Sequence, residues 1–236
     1  DIEVIHWGCD QRVFRPPDKD NEAEQLNHER IRKAYDCADE EALSYGPKTE
    51  TPMLLAVGRL VARKGYMSLL RAMPLILKEH ANTRLVIIGR GHMKKSLLKT
   101  AEELGVSHAA FIKSSMSFED IAQHYRSADL VVYPSYYEGQ GLIPLEALAS
   151  GTPVVTVDQP PLTEMVDDTV GGLFDRGDHA GMAKAVCDEL NGSVKRIKKA
   201  KAGRKRVLES FTFEGNAEMY EDVFQRSVQK RHWRDK

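Results

Sequence analysis

Two glutamates, Glu138 and Glu146, stand eight positions apart around the glycine-rich loop Gly139-Gln140-Gly141, within PSYYEGQGLIPLEALASGTPVVTVD (134–158). Glycines let a backbone approach a ligand without side-chain obstruction, and a helix that follows turns unpaired N–H groups and the positive end of its dipole outward. That chemistry favours a phosphate-like anion. Pro144 is tolerated only in a first helical turn, which places the helix start near 141–143. Glu146 then lies about one turn deeper, roughly 7.5 Å of helix rise beyond Gly141. One carboxylate therefore flanks each side of the anion. Carboxylates accept from vicinal hydroxyls and amides donate to phosphates, so a ligand ordered as sugar, diphosphate and second sugar fits.

Acidic residues favour helix starts for dipole reasons alone, so the flanking elements carry the argument. Asp129-Leu130-Val131-Val132-Tyr133 reads as a buried strand running into the loop, and Gly151–Val157 as a turn and the next strand. The loop thus lies at a strand's carboxyl end, where open α/β sheets bind ligands. Runs rich in Val, Ile and Leu recur near 53–57, 84–88, 110–113, 130–133 and 153–157, each but the last followed by a helical pattern. That alternation predicts βαβ units and a parallel sheet covered on both faces, a three-layer α/β/α domain. The helix predicted over 66–80 has one apolar stripe of Leu69, Leu70, Met73, Ile76 and Leu77. Arg59 falls just past the first strand and Lys64 precedes Gly65 at the next helix start, so both cations face the crevice of the glycine loop. Gly89-Arg90-Gly91 has Lys94 where a dinucleotide fingerprint needs a third glycine, and reads as a tight strand-to-helix turn. The polar stretch from Pro16 to Pro52, weakly helical around Ala23–Leu43, reads as a surface connector.

The segments ADLVVYPSYYEGQGLIPLEALASGTPVV (128–155), LLAVGRLVARKGYMSLLRAMP (54–74) and LVIIGRGHMKKSL (85–97) together resemble retaining glycosyltransferases of family 4. Those enzymes carry a Glu-x7-Glu pair in the donor-binding domain of a GT-B fold, and the likeness covers about residues 50–180. The resemblance implies a Rossmann-like domain that binds a nucleoside-diphosphate sugar and transfers the sugar with retention, by front-face attack through a tight ion pair. It implies that Glu146 holds the ribose hydroxyls and Glu138 the transferred sugar, while Arg59 and Lys64 neutralise the leaving diphosphate. The amides of Gln140, Gly141 and Leu142 would serve the distal phosphate and sugar, with Gly139, Gly58, Gly89 and Ile112 also bordering the donor. Two departures bear on sugar and base selectivity: Gln140 stands where the family usually has Phe, and FIKSSMS (111–117) lacks the usual glycine after its Phe. VIHWGCDQRVF (4–14) resembles the end of the family's amino-terminal domain, which implies an excised donor-binding half. The expected layout is a connector and domain end over 1–50, the donor domain over 51–210 and a crossover helix over 211–236. That helix would leave Tyr220, Val223 and Phe224 exposed. A sugar-nucleotide epimerase on the same fold and a non-catalytic nucleotide-binding module are the alternatives.

Composition agrees with one substantial domain. The 236 residues are 42% hydrophobic with net charge −1, so no global field argues for nucleic acid. Cys9, Cys37 and Cys187 are odd in number and lack metal-like spacing, and the eight histidines show no i, i+4 pair or cysteine partner. No metal or cofactor is expected, since Arg and Lys are placed to meet the leaving-group charge. The chain shows no secretory signal and no apolar run of spanning length, so a soluble, cytoplasmic protein is expected. The basic run from Lys195 to Arg206 reads as the solvated face of a helix, with contact to an anionic membrane surface as its rival and nucleic acid disfavoured by the lack of interleaved aromatics. An acceptor sugar or glycolipid would meet the amino-terminal domain.

Overall fold

The structure, a computed structural model, describes residues 3–37 and 51–234. The elements are α1 (Glu22–Lys33), β1 (Met53–Val57), α2 (Tyr66–Glu79), β2 (Arg84–Ile88), α3 (Lys94–Glu103), β3 (Ala110–Lys113), α4 (Phe118–Ser127), β4 (Leu130–Tyr133), α5 (Leu142–Ala149), β5 (Val154–Val157), β6 (Gly171–Phe174), α6 (His179–Asn191), α7 (Ser193–Ser210) and α8 (Phe213–Arg234). All strand pairs are parallel, in the order β3-β2-β1-β4-β5-β6. Chain order reverses between β1 and β4, and that switch point opens a crevice at the strands' carboxyl ends. This is the Rossmann-like arrangement.

Every residue of β1, β4 and β5 is buried, as a sheet covered on both faces requires. The predicted stripe of α2 packs inward at Leu69, Leu70, Met73 and Ile76, with Leu77 half-buried at its margin. The sixth strand, β6, escapes the sequence pattern because its GGLF offers neither alternation nor a β-branched run.

The stretch read as a surface connector contributes Ile31, Tyr35 and Cys37 to the core. Asn21 caps α1 by accepting from Ala23 and Glu24 N–H groups. Buried Arg32 donates to the carbonyls of Cys37, Ser127 and Thr51 and pairs with Asp129 at 3.1 Å. The part of this stretch from 38 to 50, including the end of the predicted helical pattern, lies outside the described residues.

The basic run is not one solvated face. Lys195, Lys198, Lys201 and Lys205 are exposed, but Arg196 and Lys199 are buried and Arg204 half-buried. Lys199 pairs with buried Glu189 at 2.5 Å, and Arg204 donates to the carbonyls of Phe14 and Ala149. These cations tie α7 to the domain, because a buried charge must be paired. All three cysteines are free and buried. Among the described residues no helix is long and apolar enough to cross a membrane. On α8, Tyr220 and Phe224 are exposed, the latter 66%, while Val223 is half-buried.

Candidate functional site

The crevice is built from the ends of β1 and β4. After β1 the chain makes a single 3₁₀ turn, Ala62–Lys64, and Gly65 at φ 70° begins α2. The turn drops Lys64 inward, leaving its side chain 9% exposed, while Arg59 stays at the surface. Lys64 Nζ donates to Glu138 Oε1 at 2.6 Å and to the Tyr133 hydroxyl at 2.6 Å. Tyr133 in turn donates to the same carboxylate oxygen at 2.8 Å, the Ser135 hydroxyl also donates to it, and Arg63 approaches it at 3.4 Å. Among the described residues all four donors converge on Oε1, and none takes Oε2.

Electrostatics follow from this crowding. Burial pushes the Glu138 carboxyl up, but hydrogen bonds from Lys64, Ser135 and Tyr133 outweigh it and hold the group below its usual range. Burial lowers the Lys64 ammonium from its ordinary value; Glu138 opposes this, while Arg63 and Arg59 add to it. The carboxylate is thus the better-compensated partner. Lys64 has three N–H donors and uses two here, and Arg59 carries no side-chain hydrogen bond among the described residues. Both cations retain capacity for an anion.

Glu146 sits in the second turn of α5, where Tyr125 from α4 donates to its Oε2 at 2.9 Å. Burial raises its carboxyl to about 7, with the Tyr125 bond partly offsetting the rise. Between the two glutamates, Gly141 adopts φ 100°, which a side chain would strain, and α5 begins without a side-chain cap. Among the described residues the N–H groups of Gln140, Gly141 and Leu142 have no partner. An uncapped helix start with free N–H groups is an anion receptor. Gly139 is exposed beside it.

The far wall is the β1–β2 edge of the crevice. A Cβ on Gly89 would lie 1.9 Å from the Gly58 carbonyl oxygen, so the two turns after β1 and β2 pack backbone to backbone. Leu60 N–H and the Arg90 carbonyl join them at 2.8 Å. Ile112 is buried within β3, in register with Ile87 and two strands from β1.

The structure therefore brings Lys64 directly against Glu138 and sets Arg59 beside Lys64, whereas Glu146 is held by a different helix pair. Sequence reasoning missed Arg63, Tyr125, Tyr133 and Ser135. Tyr133 ends a strand otherwise made of Leu and Val, the one local signal that its hydroxyl does something besides pack. Nor did it see that His80 has a cysteine neighbour: Glu79, His80 and Cys187 offer ligand atoms within 4.8 Å of one another. That spread is loose against the roughly 3.5 Å edges of a zinc tetrahedron with Zn–N and Zn–S bonds near 2.1–2.3 Å.

Comparison with known proteins agrees with this architecture. The family profile described as "Glycosyl transferases group 1" matches residues 38–206. An uncharacterized glycosyltransferase of Methanocaldococcus jannaschii, MJ1607, is 41% identical over 131 residues, covering 56% of this chain and 33% of that protein. A glycogen synthase of Mycobacterium tuberculosis is 32% identical over 185 residues, covering 78% of this chain and 45% of the other. The chain thus spans a third to about half the length of the curated relatives it matches. Among solved structures, sucrose-phosphate synthase from Thermosynechococcus elongatus superposes with TM-score 0.79 at 24% identity, over 97% of this chain and 53% of that one. The C-terminal domain of a group 1 glycosyl transferase (LpcC) from Francisella tularensis superposes with TM-score 0.69 at 25% identity, covering 87% of this chain and 99% of that one. With the family profile spanning most of its length, this chain belongs to the group 1 glycosyl transferases.

Proposed function

We propose that this chain is the donor-binding half of a retaining GT-B glycosyltransferase, and that it binds a nucleoside-diphosphate sugar in the β1–β4 crevice. The observation that carries the reading is the placement of free N–H groups at the start of α5 between a locked carboxylate, Glu138, and a second carboxylate, Glu146. Arg59 and the third N–H of Lys64 take the diphosphate; Arg offers a bidentate fork and Lys a point charge. Glu138 Oε2 accepts from a hydroxyl of the transferred sugar, and ionised Glu146 accepts from the ribose. As the glycosidic bond to the diphosphate breaks, negative charge grows on the leaving group, where the two cations and the α5 amides already stand. Such preorganised stabilisation is commonly the largest catalytic contribution. No divalent cation is required for it.

Two likenesses support the reading: a solved protein of nearly equal fold, Anabaena HepE, is described in complex with UDP-glucose, and the LpcC structure of matching extent is a C-terminal domain. In this reading the acceptor lies against a separate amino-terminal domain, so the 236-residue chain binds donor and transfers no sugar. The test is calorimetry with UDP-, GDP- and ADP-sugars alongside a transfer assay on the purified chain. Donor binding without turnover is expected. Robust multiple-turnover transfer refutes the half-enzyme reading, and no binding of any nucleotide refutes the site.

A further inference from the structure

The loop 139–141 carries a single side chain, that of Gln140, and both polar atoms of its amide are bonded. Trp7 N–H donates to Gln140 Oε1 at 2.5 Å, and Gln140 Nε2 donates to the Trp7 carbonyl at 2.7 Å. A primary amide that pairs with both polar groups of one residue closes a ring, as two strands do across a ladder. The partners are 133 positions apart. Trp7 is held on both sides: Asn216 Nδ2 donates to the His6 carbonyl, His6 approaches Glu164 at 3.4 Å, and Cys9 N–H donates to the Phe211 carbonyl at 3.0 Å. A Cβ on Gly8 would lie 2.4 Å from the Thr212 carbonyl carbon, so this extended segment is pressed against the start of α8.

The other end of the clasp is the opposite kind of backbone. Gly139 has nothing within 4 Å of where a Cβ would be, and Gly141 is left-handed. Glycine loses more freedom on ordering than any other residue, so a loop flanked by two glycines needs an anchor to present its N–H groups in one direction. The resembling family usually has Phe at this position, which lacks the donor and acceptor that this clasp uses.

We propose that Gln140 is a positioning residue for the donor site: its amide, locked on the Trp7 backbone, holds Gly141 and Leu142 N–H groups in the anion-binding orientation. The proposal rests on the donor-site reading above. It also makes the segment around Trp7 a structural part of the site.

The experiment compares wild type with Gln140→Met, which keeps length and removes both hydrogen bonds, and with Gln140→Glu. UDP, GDP and ADP are titrated by calorimetry, the tightest is carried forward, and its nucleoside is measured in parallel. Amide exchange at Trp7 and the chemical shift of the Trp7 carbonyl carbon are followed by NMR. In Gln140→Met, Trp7 N–H protection is lost, and diphosphate affinity falls about tenfold with nucleoside affinity unchanged. In Gln140→Glu the introduced carboxyl reproduces both bonds when protonated, whereas its ionised form sets a carboxylate against the Trp7 carbonyl. A carboxylate still accepts from Trp7 N–H, so protection there persists in that variant, whereas the bond to the Trp7 carbonyl needs the proton. The Trp7 carbonyl-carbon shift, taken relative to wild type at each pH, is therefore near normal in acid and moves as the carboxyl ionises. A purely space-filling role gives no such pH profile, and its absence overturns the proposal. Unchanged diphosphate affinity in Gln140→Met also overturns it while leaving the donor site intact. A wild-type chain that binds none of the three nucleotides refutes the site and this role together.

Discussion

Replacing Glu146 with Gln exposes a conflict between stability and ligand binding. Its carboxyl rises from 4.5 to about 7 in the fold, chiefly through burial. At 1.36 kcal/mol per unit, that difference amounts to about 3 kcal/mol of cost for ionising the group in the folded state. Between pH 4.5 and about 7 the native chain binds more protons at this position than the unfolded chain does, so stability falls as pH rises through that window. Gln keeps the acceptor for the Tyr125 hydroxyl and removes the titration. We predict that Glu146→Gln matches wild type near pH 4.5 and exceeds it at pH 8 by about 3 kcal/mol, a melting shift of roughly 6–12 °C for a chain of this size. Nucleotide binding moves the other way, since the proposed partner of Glu146 is the ribose. Hydrogen bonds to a charged acceptor are about twice as strong as neutral ones, so the variant binds about tenfold more weakly at pH 8. Thermal melts of both proteins at half-unit pH steps, paired with nucleotide calorimetry at pH 8, make the measurement. A stability difference that is flat between pH 4.5 and 8, or that grows toward acid, refutes the assignment of a buried, titrating carboxylate.

The remaining expectations concern the β1–β4 crevice. Arg59→Ala, which removes an exposed cation with no side-chain hydrogen bond among the described residues, should leave the melting temperature unchanged and weaken nucleoside diphosphate binding at least about tenfold while sparing the nucleoside, consistent with one charge-assisted contact of roughly 1.5–3 kcal/mol; equal losses for both ligands in calorimetry would count against a phosphate role. Lys64→Met should instead cost stability, about 3–5 kcal/mol by the usual penalty for breaking a buried ion pair, because Glu138 is left charged with fewer donors. Chemical denaturation checks it, and a loss under 1 kcal/mol would mean that Arg63, Tyr133 and Ser135 suffice. Glu138→Ala should preserve affinity for the sugar-free nucleotide and remove the extra affinity of the sugar-bearing donor; parallel losses for both ligands would overturn the separate partners given to the two carboxylates. Chelation with EDTA should leave nucleotide affinity within twofold, and a larger drop would show that a cation shares the diphosphate with Arg59.

The local features of this site are readable from the chain because local constraints dictate them. A first turn is where proline costs a helix least, so Pro144 points to the start of α5 and the depth of Glu146 from neighbouring residues alone, and α5 does begin at Leu142, although packing carries Pro74 inside α2. Four of the six strands, β1, β2, β4 and β5, announce themselves as short runs dominated by Val, Ile and Leu, since a strand buried on both faces has no polar side to alternate, while the edge strand β3 is the weaker Ala-Phe-Ile-Lys. What pairs across the fold is a different matter. Lys64 and Glu138 are 74 positions apart, and only the adjacency of β1 and β4 makes them partners. The same distance effect hides Tyr125 beneath Glu146 and Trp7 against Gln140. Arg196, Lys199 and Arg204 are indistinguishable in sequence from the exposed lysines between them. Their burial depends on acceptors supplied by α6, by the turn before β4 and by the end of α5. Periodicity and backbone preference act over a few residues, and they place the loop, the helix start and the strands. Charge pairing and desolvation act across space, so the protonation and partners of Glu138, Lys64 and Glu146 are properties of the assembled sheet.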